Sequence, residues 1–504
     1  MGTKFLWWIV LTMFMGASLF PIWSTRCPPM QDYPRHLALA EILNRIHDPA
    51  FDYGQNFDDH LRVGPYSFFY LAVLGMAAFF PVETAGKVVI SLYLVLIAFL
   101  VGRISLRSSL DLPRSPSFPS WTPLLFFLFA FNQFYFLGMV NFIISVPLLI
   151  LALRDHDRLS REDAGRHPFV RHILWQIVLF LAHPFTFLIY IFFALLGAAV
   201  FDRARPKFKR SLILPFAAAV VFSTWYVMTT TVLSTSAPAA SPLRWLPPRM
   251  TIAYLAYMFT GMRWFDGVDM PAVVLWTALG VVILRGYLVL PKKERSLPDR
   301  YVLFLGVSLL ALLTLPFAQG GYSYVNLRFA PVSYFFLTMI VSNLRWKRGR
   351  TAVLIFLIAS LMASSVVKQR RISREIGEVV PLIKVIPPNV RILPLVFDND
   401  SPELDRPFFD VHLHDHDYYH VFVGGGINPY FPRESIFPVR YKAHAEKPAP
   451  PEYQPQRFVW DLHADDYRYF LARRAPPEFV SFLSTRAEPV GRSGPWILFK
   501  KKRK

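Results

Sequence analysis

Apolar residues along this chain come in long blocks, separated by short stretches rich in arginine and lysine. Blocks at 5–23, 84–102, 121–137, 139–153, 173–201, 211–231, 271–290, 301–317, 329–344 and 351–367 are the segments long enough to matter for a bilayer, whose hydrocarbon core takes about 20 apolar residues to cross as a helix. The block at 173–201 is too long for one ordinary span, and His183-Pro184 interrupts it. Proline removes a helical hydrogen bond and crowds the preceding turn, so this block reads as two short helices with His183 at their outer turn. The pattern predicts about eleven membrane-spanning helices. Residues 65–81 are also apolar, but the segment is short and bounded by Pro65 and Pro81. A crossing there would place Arg103, Arg107 and Arg114 outside, so the segment is expected to dip into the outer leaflet or pack on the bundle.

The pattern changes at Lys368, beyond which the chain is charged and proline-rich with no further spanning block. Arg391–Phe397 (RILPLVF), Tyr467–Ala472 (YRYFLA) and Trp496–Lys500 (WILFK) carry strand-type composition, and Phe479–Thr485 suits a short helix between the last two. The expected fold class is an all-α polytopic membrane bundle, residues 1–367, followed by a small α/β domain, residues 368–504. The first external loop, 24–83, carries a surface helix from about Arg35 to Ile46, with Leu37, Ala40, Ile42 and Leu43 partly on one face.

Composition agrees with a membrane protein. The 504 residues are 54% hydrophobic and 17% charged, against roughly 25% charged in soluble domains. The net charge of +20 would suggest nucleic acid in a soluble chain. Here the excess sits in short loops between apolar blocks, the footprint of the positive-inside rule, and nucleic-acid binding is set aside. Basic residues before Phe5, and the clusters at 103–120, 154–172, 202–210, 292–295 and 345–350, are assigned to the cytoplasm. The acidic loop after the first helix and the C-terminal domain are then extracytoplasmic. The first apolar block lacks a small-residue cleavage site and reads as a retained helix. A single cysteine, Cys27, excludes an intramolecular disulfide and any multi-cysteine metal cage.

Four clusters carry candidate chemistry. The first, Pro28–Ala38 (PPMQDYPRHLA), places Asp32 just outside the membrane, with Pro34 able to open a helix and His36 one turn on. Asp32 is either a helix N-cap or a functional carboxylate. The second, Gln319–Pro331 (QGGYSYVNLRFAP), begins a late spanning helix with Arg328. That arginine can hold a phosphate bidentately or snorkel to lipid headgroups. The third is His183, as a satisfied turn histidine or a polar group of a site. The fourth, His412–His420 (HLHDHDYYH), has donors suited to a divalent ion but matches no closed metal motif. It reads better as a polar docking surface, with His412, His414 and His416 on one face of a strand. Gly424-Gly425-Gly426 has no helix behind it and is expected to be a flexible turn rather than a phosphate loop.

Taken together, these motifs resemble the bacterial GT-C superfamily of membrane glycosyltransferases, the class that includes protein O-mannosyltransferases and the lipid A aminoarabinose transferase. The resemblance rests on Asp32 after the first helix, the helix that follows it, Arg328 in LRFAP, the Gly138-Met139-Val140-Asn141-Phe142 hairpin and the C-terminal domain. It spans roughly residues 1–350 in architecture and only short motifs in sequence. It implies transfer of a sugar from a polyprenyl-phosphate donor to a glycan, lipid or protein acceptor at the outer face of the bacterial plasma membrane. Asp32 and His36 would be catalytic, with Asp32 the general base. Arg328, His183, Asn141, Tyr324 and Gln319 would bind substrate, and Arg328 would neutralise the departing phosphate. The family often has a second acidic residue in the hairpin, where this chain has Asn132 and Asn141, so no metal or other cofactor is implied. The competing readings are a transporter or flippase of a lipid-linked substrate and a noncatalytic scaffold of envelope assembly.

The loop charges make one topological expectation direct: Lys347 is cytoplasmic and His416 extracytoplasmic. Reporter fusions at the two positions check it, and the same side for both defeats the eleven-span arrangement.

Overall fold

The protein is described as a computed structural model covering residues 3–106, 121–159, 166–203, 208–233, 243–260, 269–289, 299–318, 323–342, 348–404, 409–431 and 437–502. Among the described residues, five helices are long and apolar enough to cross a membrane: Phe5–Trp23, Val82–Ser105, Pro184–Phe201, Met270–Leu288 and Gly349–Ile383. All five coincide with expected spans. The other expected spans are shorter, interrupted, charged at one end as in Val140–Leu159, or apolar over only part of their length as in Phe208–Leu233, so length and apolarity support a polytopic membrane protein without supporting the count of eleven. The block at 121–137 breaks at Asn132, whose side chain donates to the Phe129 carbonyl (2.8 Å) and accepts from the Phe134 N–H (2.9 Å). The block at 173–201 is divided at His183, which is extended between helices Arg166–Ala182 and Pro184–Phe201. Phe68–Ala77 has ten residues, about 15 Å at 1.5 Å per residue, half the thickness of a hydrocarbon core.

The chain forms two compact units. One comprises Met1–Phe20, Leu92–Phe134 and Asn141–Val366; the other comprises Pro21–Ser91, Tyr135–Val140 and Val367–Lys504. The first is a helical bundle with an aromatic interior, where Phe193, Phe304 and Phe336 pack at ring separations of 4.7 to 5.4 Å. Arg300 ties three of its helices, donating to Asp157 (2.6 Å) and to Asp202.

The second unit holds the stretch 21–91 together with the C-terminal residues, a grouping that the boundary at residue 367 does not anticipate. Its four-stranded sheet runs in the order Ile392–Val396, Tyr469–Arg473, Trp496–Lys501, Ala487–Ser493. The first pair is parallel and the others antiparallel. Leu393, Leu395, Phe470, Phe499 and Leu483 form its core, with helix Pro477–Arg486 packed on it. The strand 487–493 was not expected: it lies at the edge, mostly solvent-facing, with Pro489 and an irregularity before Gly491, features confined to edges. A second small sheet pairs Phe57–Asp59 with Val439–Tyr441.

Two expectations are corrected. The long helix does not stop where the composition changes at Lys368 but runs Arg348–Gly377, because lysine, arginine and glutamate propagate a helix as well as apolar residues do. The helix predicted to lie on the surface, Tyr33–Arg45, is instead buried on nearly every side, Arg35 and Glu41 included. Residues 418–422 of the same unit cover it, so its sparse polar residues are inward-facing partners rather than a wet face.

The triple glycine is a turn, but a packed one. All three residues have positive φ (89°, 69° and 73°), a region that only glycine enters freely. The Gly426 N–H donates to Asp52 Oδ1 at 2.6 Å, and a Cβ on Gly426 would meet the Val390 carbonyl oxygen at 2.0 Å. We expect Gly426→Ala to lower stability on the order of 2 kcal/mol. Gly75→Ala, in a helix with open space around the position, should instead raise it by about 0.5–1 kcal/mol. Thermal melts of the purified protein check both.

Candidate active site

Asp32 opens helix Tyr33–Arg45 at the N-cap position, yet its side chain makes no cap hydrogen bond. It turns to His414, whose Nδ1 lies 3.0 Å from Asp32 Oδ1, and accepts from Gln31 Nε2 at 3.2 Å. The carboxyl side chain keeps 31% of its surface exposed, so it is held and still reachable. Burial opposes its ionisation, but the His414 hydrogen bond and the charges of His414 and Arg35 outweigh this and hold its pKa below the usual carboxylate value. The N-cap alternative therefore fails on geometry.

The backbone at this point is fixed from 135–140. Gln31 N donates to the Phe136 carbonyl (2.8 Å) and Asp32 N to the Leu137 carbonyl (3.1 Å). Gly138 has φ +76°, and a Cβ there would stand 2.8 Å from the amide nitrogens of both Asp32 and Tyr33. That is the physical content of the glycine in the Gly-x-x-Asn-Phe motif: the hairpin passes directly against the start of the helix.

Arg35 is the anchor of the cluster. Its Nε donates to Asp417 Oδ2 (2.9 Å) and its Nη2 to Glu452 Oε1 (2.6 Å). Asn428 Nδ2 donates to the second oxygen of Asp417, and His414 Nε2 lies 3.7 Å from Glu452. A chain of ionisable groups thus runs Asp417–Arg35–Glu452–His414–Asp32. His36, one turn beyond Asp32, turns to Tyr70, with Nδ1 2.7 Å from the hydroxyl. Burial above all lowers its pKa to about 4, leaving a neutral imidazole at physiological pH.

The run 412–420 is not a strand. His412 Nδ1 approaches Asp415 Oδ2 at 2.7 Å, and this i,i+3 contact curls the chain into a turn, a 3-10 helix Asp415–Asp417 and helix Tyr418–Phe422. It packs on helix Tyr33–Arg45. Among the described residues, no group of three histidine, cysteine, aspartate or glutamate side chains is arranged to hold a metal ion.

The remaining sequence-derived candidates lie in the other compact unit. Phe142 is their common neighbour: His183 meets its ring edge-on at 5.2 Å, and the Arg328 guanidinium stands 5.8 Å from it and 5.5 Å from Phe185. Arg328 Nη2 also donates to the Ser323 carbonyl at 3.4 Å. Asn141 precedes Phe142 and is buried. Tyr324, at φ +62°, packs against Phe317 and, through Phe134, beside Phe142. Gln319 lies outside the described residues. The structure thus groups Asp32 with His36, and separately Arg328, His183, Asn141 and Tyr324.

Sequence reasoning missed His414, Asp417 and Glu452 as partners of the Asp32 helix. The signal was present: an arginine on a helix otherwise apolar at 37–40 and 42–43 requires a carboxylate, and 412–420 is the run densest in histidine and aspartate.

Fold and site together define a polytopic membrane protein with a compact unit centred on a histidine–carboxylate–arginine cluster. No family model matches the chain, and no curated protein matches it. Among solved structures, the crystal structure of ArnT from Cupriavidus metallidurans in the apo state is similar, at 11% identity and a TM-score of 0.47 over 98% of each chain. That likeness is too distant to assign a fold or a function.

The buried histidines give the cluster a pH signature. Burial, the largest influence on each, lowers His416 to about 3 and His420 to about 4, whereas an unfolded histidine takes a proton near pH 6.5. Below about 6.5 the unfolded chain binds more protons than the native one, so stability falls with falling pH. The loss is on the order of 1 kcal/mol per pH unit for each histidine. His412 has the opposite shift: burial disfavours its charge, but Asp415 outweighs this and raises its pKa. Its contribution is intact in acid and lost only as pH rises. We expect melting temperature to drop between pH 6.5 and 4.5 and the slope to flatten in His416→Gln/His420→Gln. An unchanged slope in that double variant refutes the assignment.

Proposed function

We propose that the protein is a membrane glycosyltransferase of the GT-C type, with about eleven spans in a bacterial plasma membrane and its C-terminal residues outside. It transfers a sugar from a polyprenyl-phosphate donor to an envelope acceptor. The observation that carries this reading is Asp32: a part-exposed carboxylate, ionised at neutral pH, that spends no hydrogen bond on capping its helix and is aimed by His414.

The chemistry assigned to it is simple. The acceptor oxygen attacks the anomeric carbon as its proton passes to Asp32. The bond from that carbon to the phosphate oxygen breaks, and the polyprenyl phosphate departs as an anion. Arg328 is assigned to that anion, since a guanidinium matches phosphate geometry in two donors at once. His414 positions Asp32, Arg35 holds the acids around His414, and His36 supports the site through Tyr70.

The test compares envelope glycans by mass spectrometry in cells with the wild-type protein, without it, and with Asp32→Asn. General-base catalysis contributes typically 10²–10⁴-fold, so the glycan that depends on the wild-type protein should all but vanish in Asp32→Asn. The substitution is isosteric and should leave expression and melting temperature close to wild type. A correctly inserted Asp32→Asn protein with wild-type product would remove Asp32 from the reaction.

A further inference from the structure

Within the helical unit, a groove of about 600 Å³ runs between helices Thr3–Trp23 and Val82–Leu106. Trp8 and Met15 line it from the first helix, Val95 and Phe99 from the second, and Arg103 and Arg171 complete it. The groove is apolar along its length and cationic at one end. Trp8, Val95 and Phe99 remain substantially exposed, on helices long and apolar enough to sit in a bilayer.

The two arginines differ in how their charge is met. Arg171 grips Asp155 with two donors, at 2.5 and 2.7 Å, and the Trp175 indole N–H adds a third contact to the same carboxylate at 3.0 Å. Arg103 stands 3.8 Å from Asp155, beyond hydrogen-bond reach. Among the described residues it forms no hydrogen bond, although its side chain is only 13% exposed. One carboxylate thus faces three guanidiniums, those of Arg171, Arg158 (3.6 Å) and Arg103, and is already engaged by the first. A largely buried cation whose contacts among the described residues are a carboxylate at 3.8 Å and the Phe99 ring at 5.5 Å is costly, and a phosphate would supply an acceptor in the geometry a guanidinium prefers.

We propose that this groove binds an anionic glycerophospholipid, with an acyl chain along Trp8–Met15 and Val95–Phe99 and its phosphodiester on Arg103. Both parts of the ligand are specified: the apolar channel takes a chain, and the local excess of positive charge selects an acidic headgroup over a zwitterionic one. The inference is independent of Asp32 and of the transfer reaction.

The full-length protein in detergent, examined by native mass spectrometry with phosphatidylglycerol and phosphatidylcholine, provides the test. Both lipids carry the phosphodiester that Arg103 would bind, and only phosphatidylcholine brings a cation to the cationic end of the groove, so wild type should retain phosphatidylglycerol about tenfold better, about 1.4 kcal/mol. Arg103→Gln, which leaves the Arg171–Asp155 pair in place, should bring the two lipids to parity. Gly102→Leu fills the groove without touching charge, since a Cβ there meets only Trp7, at 3.8 Å, and it should reduce retention of both lipids. Parity in the wild type, a preference that survives Arg103→Gln, or retention unaltered in Gly102→Leu each overturns the site. Displacement of phosphatidylglycerol by equimolar undecaprenyl phosphate would overturn the choice of occupant. Should Arg103→Gln fail to fold, Gly102→Leu and the wild-type comparison still decide.

Discussion

An arginine removed from water must keep its charge and find acceptors for its donors, and in this protein that requirement organises an entire compact unit. Arg35 sits on a helix buried on nearly all sides and is met by Asp417, itself wholly buried, and by Glu452. Removing one member of such a pair leaves an uncompensated charge at a cost of about 3–5 kcal/mol. The remaining polar geometry is arranged around that pairing. Asn428 satisfies the second oxygen of Asp417. His414 stands between Glu452 and Asp32. Asp32 is thereby held by a network rather than by its own helix. The apolar packing of the sheet and its helix supports this arrangement, but the ion pairs determine which segments must meet.

Much of the architecture was legible because it depends on patterns a sequence displays locally. Apolar blocks locate the five helices that, among the described residues, are long and apolar enough to cross a membrane, the His183-Pro184 break falls where the chain leaves one helix for the next, and three of the four strands of the mixed sheet follow from β-branched and aromatic runs. What was not legible depends on partners far along the chain. Helix Tyr33–Arg45 looks amphipathic until the residues at 418–422 cover its polar face, and the edge strand 487–493 is specified by its neighbour rather than by its own composition. Lys368 marks a change of composition that a helix of good formers passes through without stopping.

The candidate site divides in the same way. Asp32 and His36 stand out by position, and Gly138 by the hairpin motif, although its reason appears only when the chain is seen pressing on the Asp32 amide. His414 and Glu452 carry no motif of their own. The composition of the His/Asp run would suit a metal ion, although it reads better as a polar docking surface, and its histidines are distributed among separate acids: His412 to Asp415 and Glu375, His414 to Asp32 and Glu452, His416 to Asp417.

The Arg35–Asp417 contact joins residues 382 positions apart, and this separation sets a timetable for biosynthesis. At about 5–20 residues per second, the helix bearing Arg35 emerges roughly 20–80 seconds before the carboxylate that neutralises it. Throughout that interval the segment 21–91 has no C-terminal residues to pack against, and its apolar positions at 37–43 stand open to any other surface. A chain terminated before residue 417 never supplies the partner. Shortened products of this gene would therefore leave the segment 21–91 without the C-terminal residues that complete its compact unit.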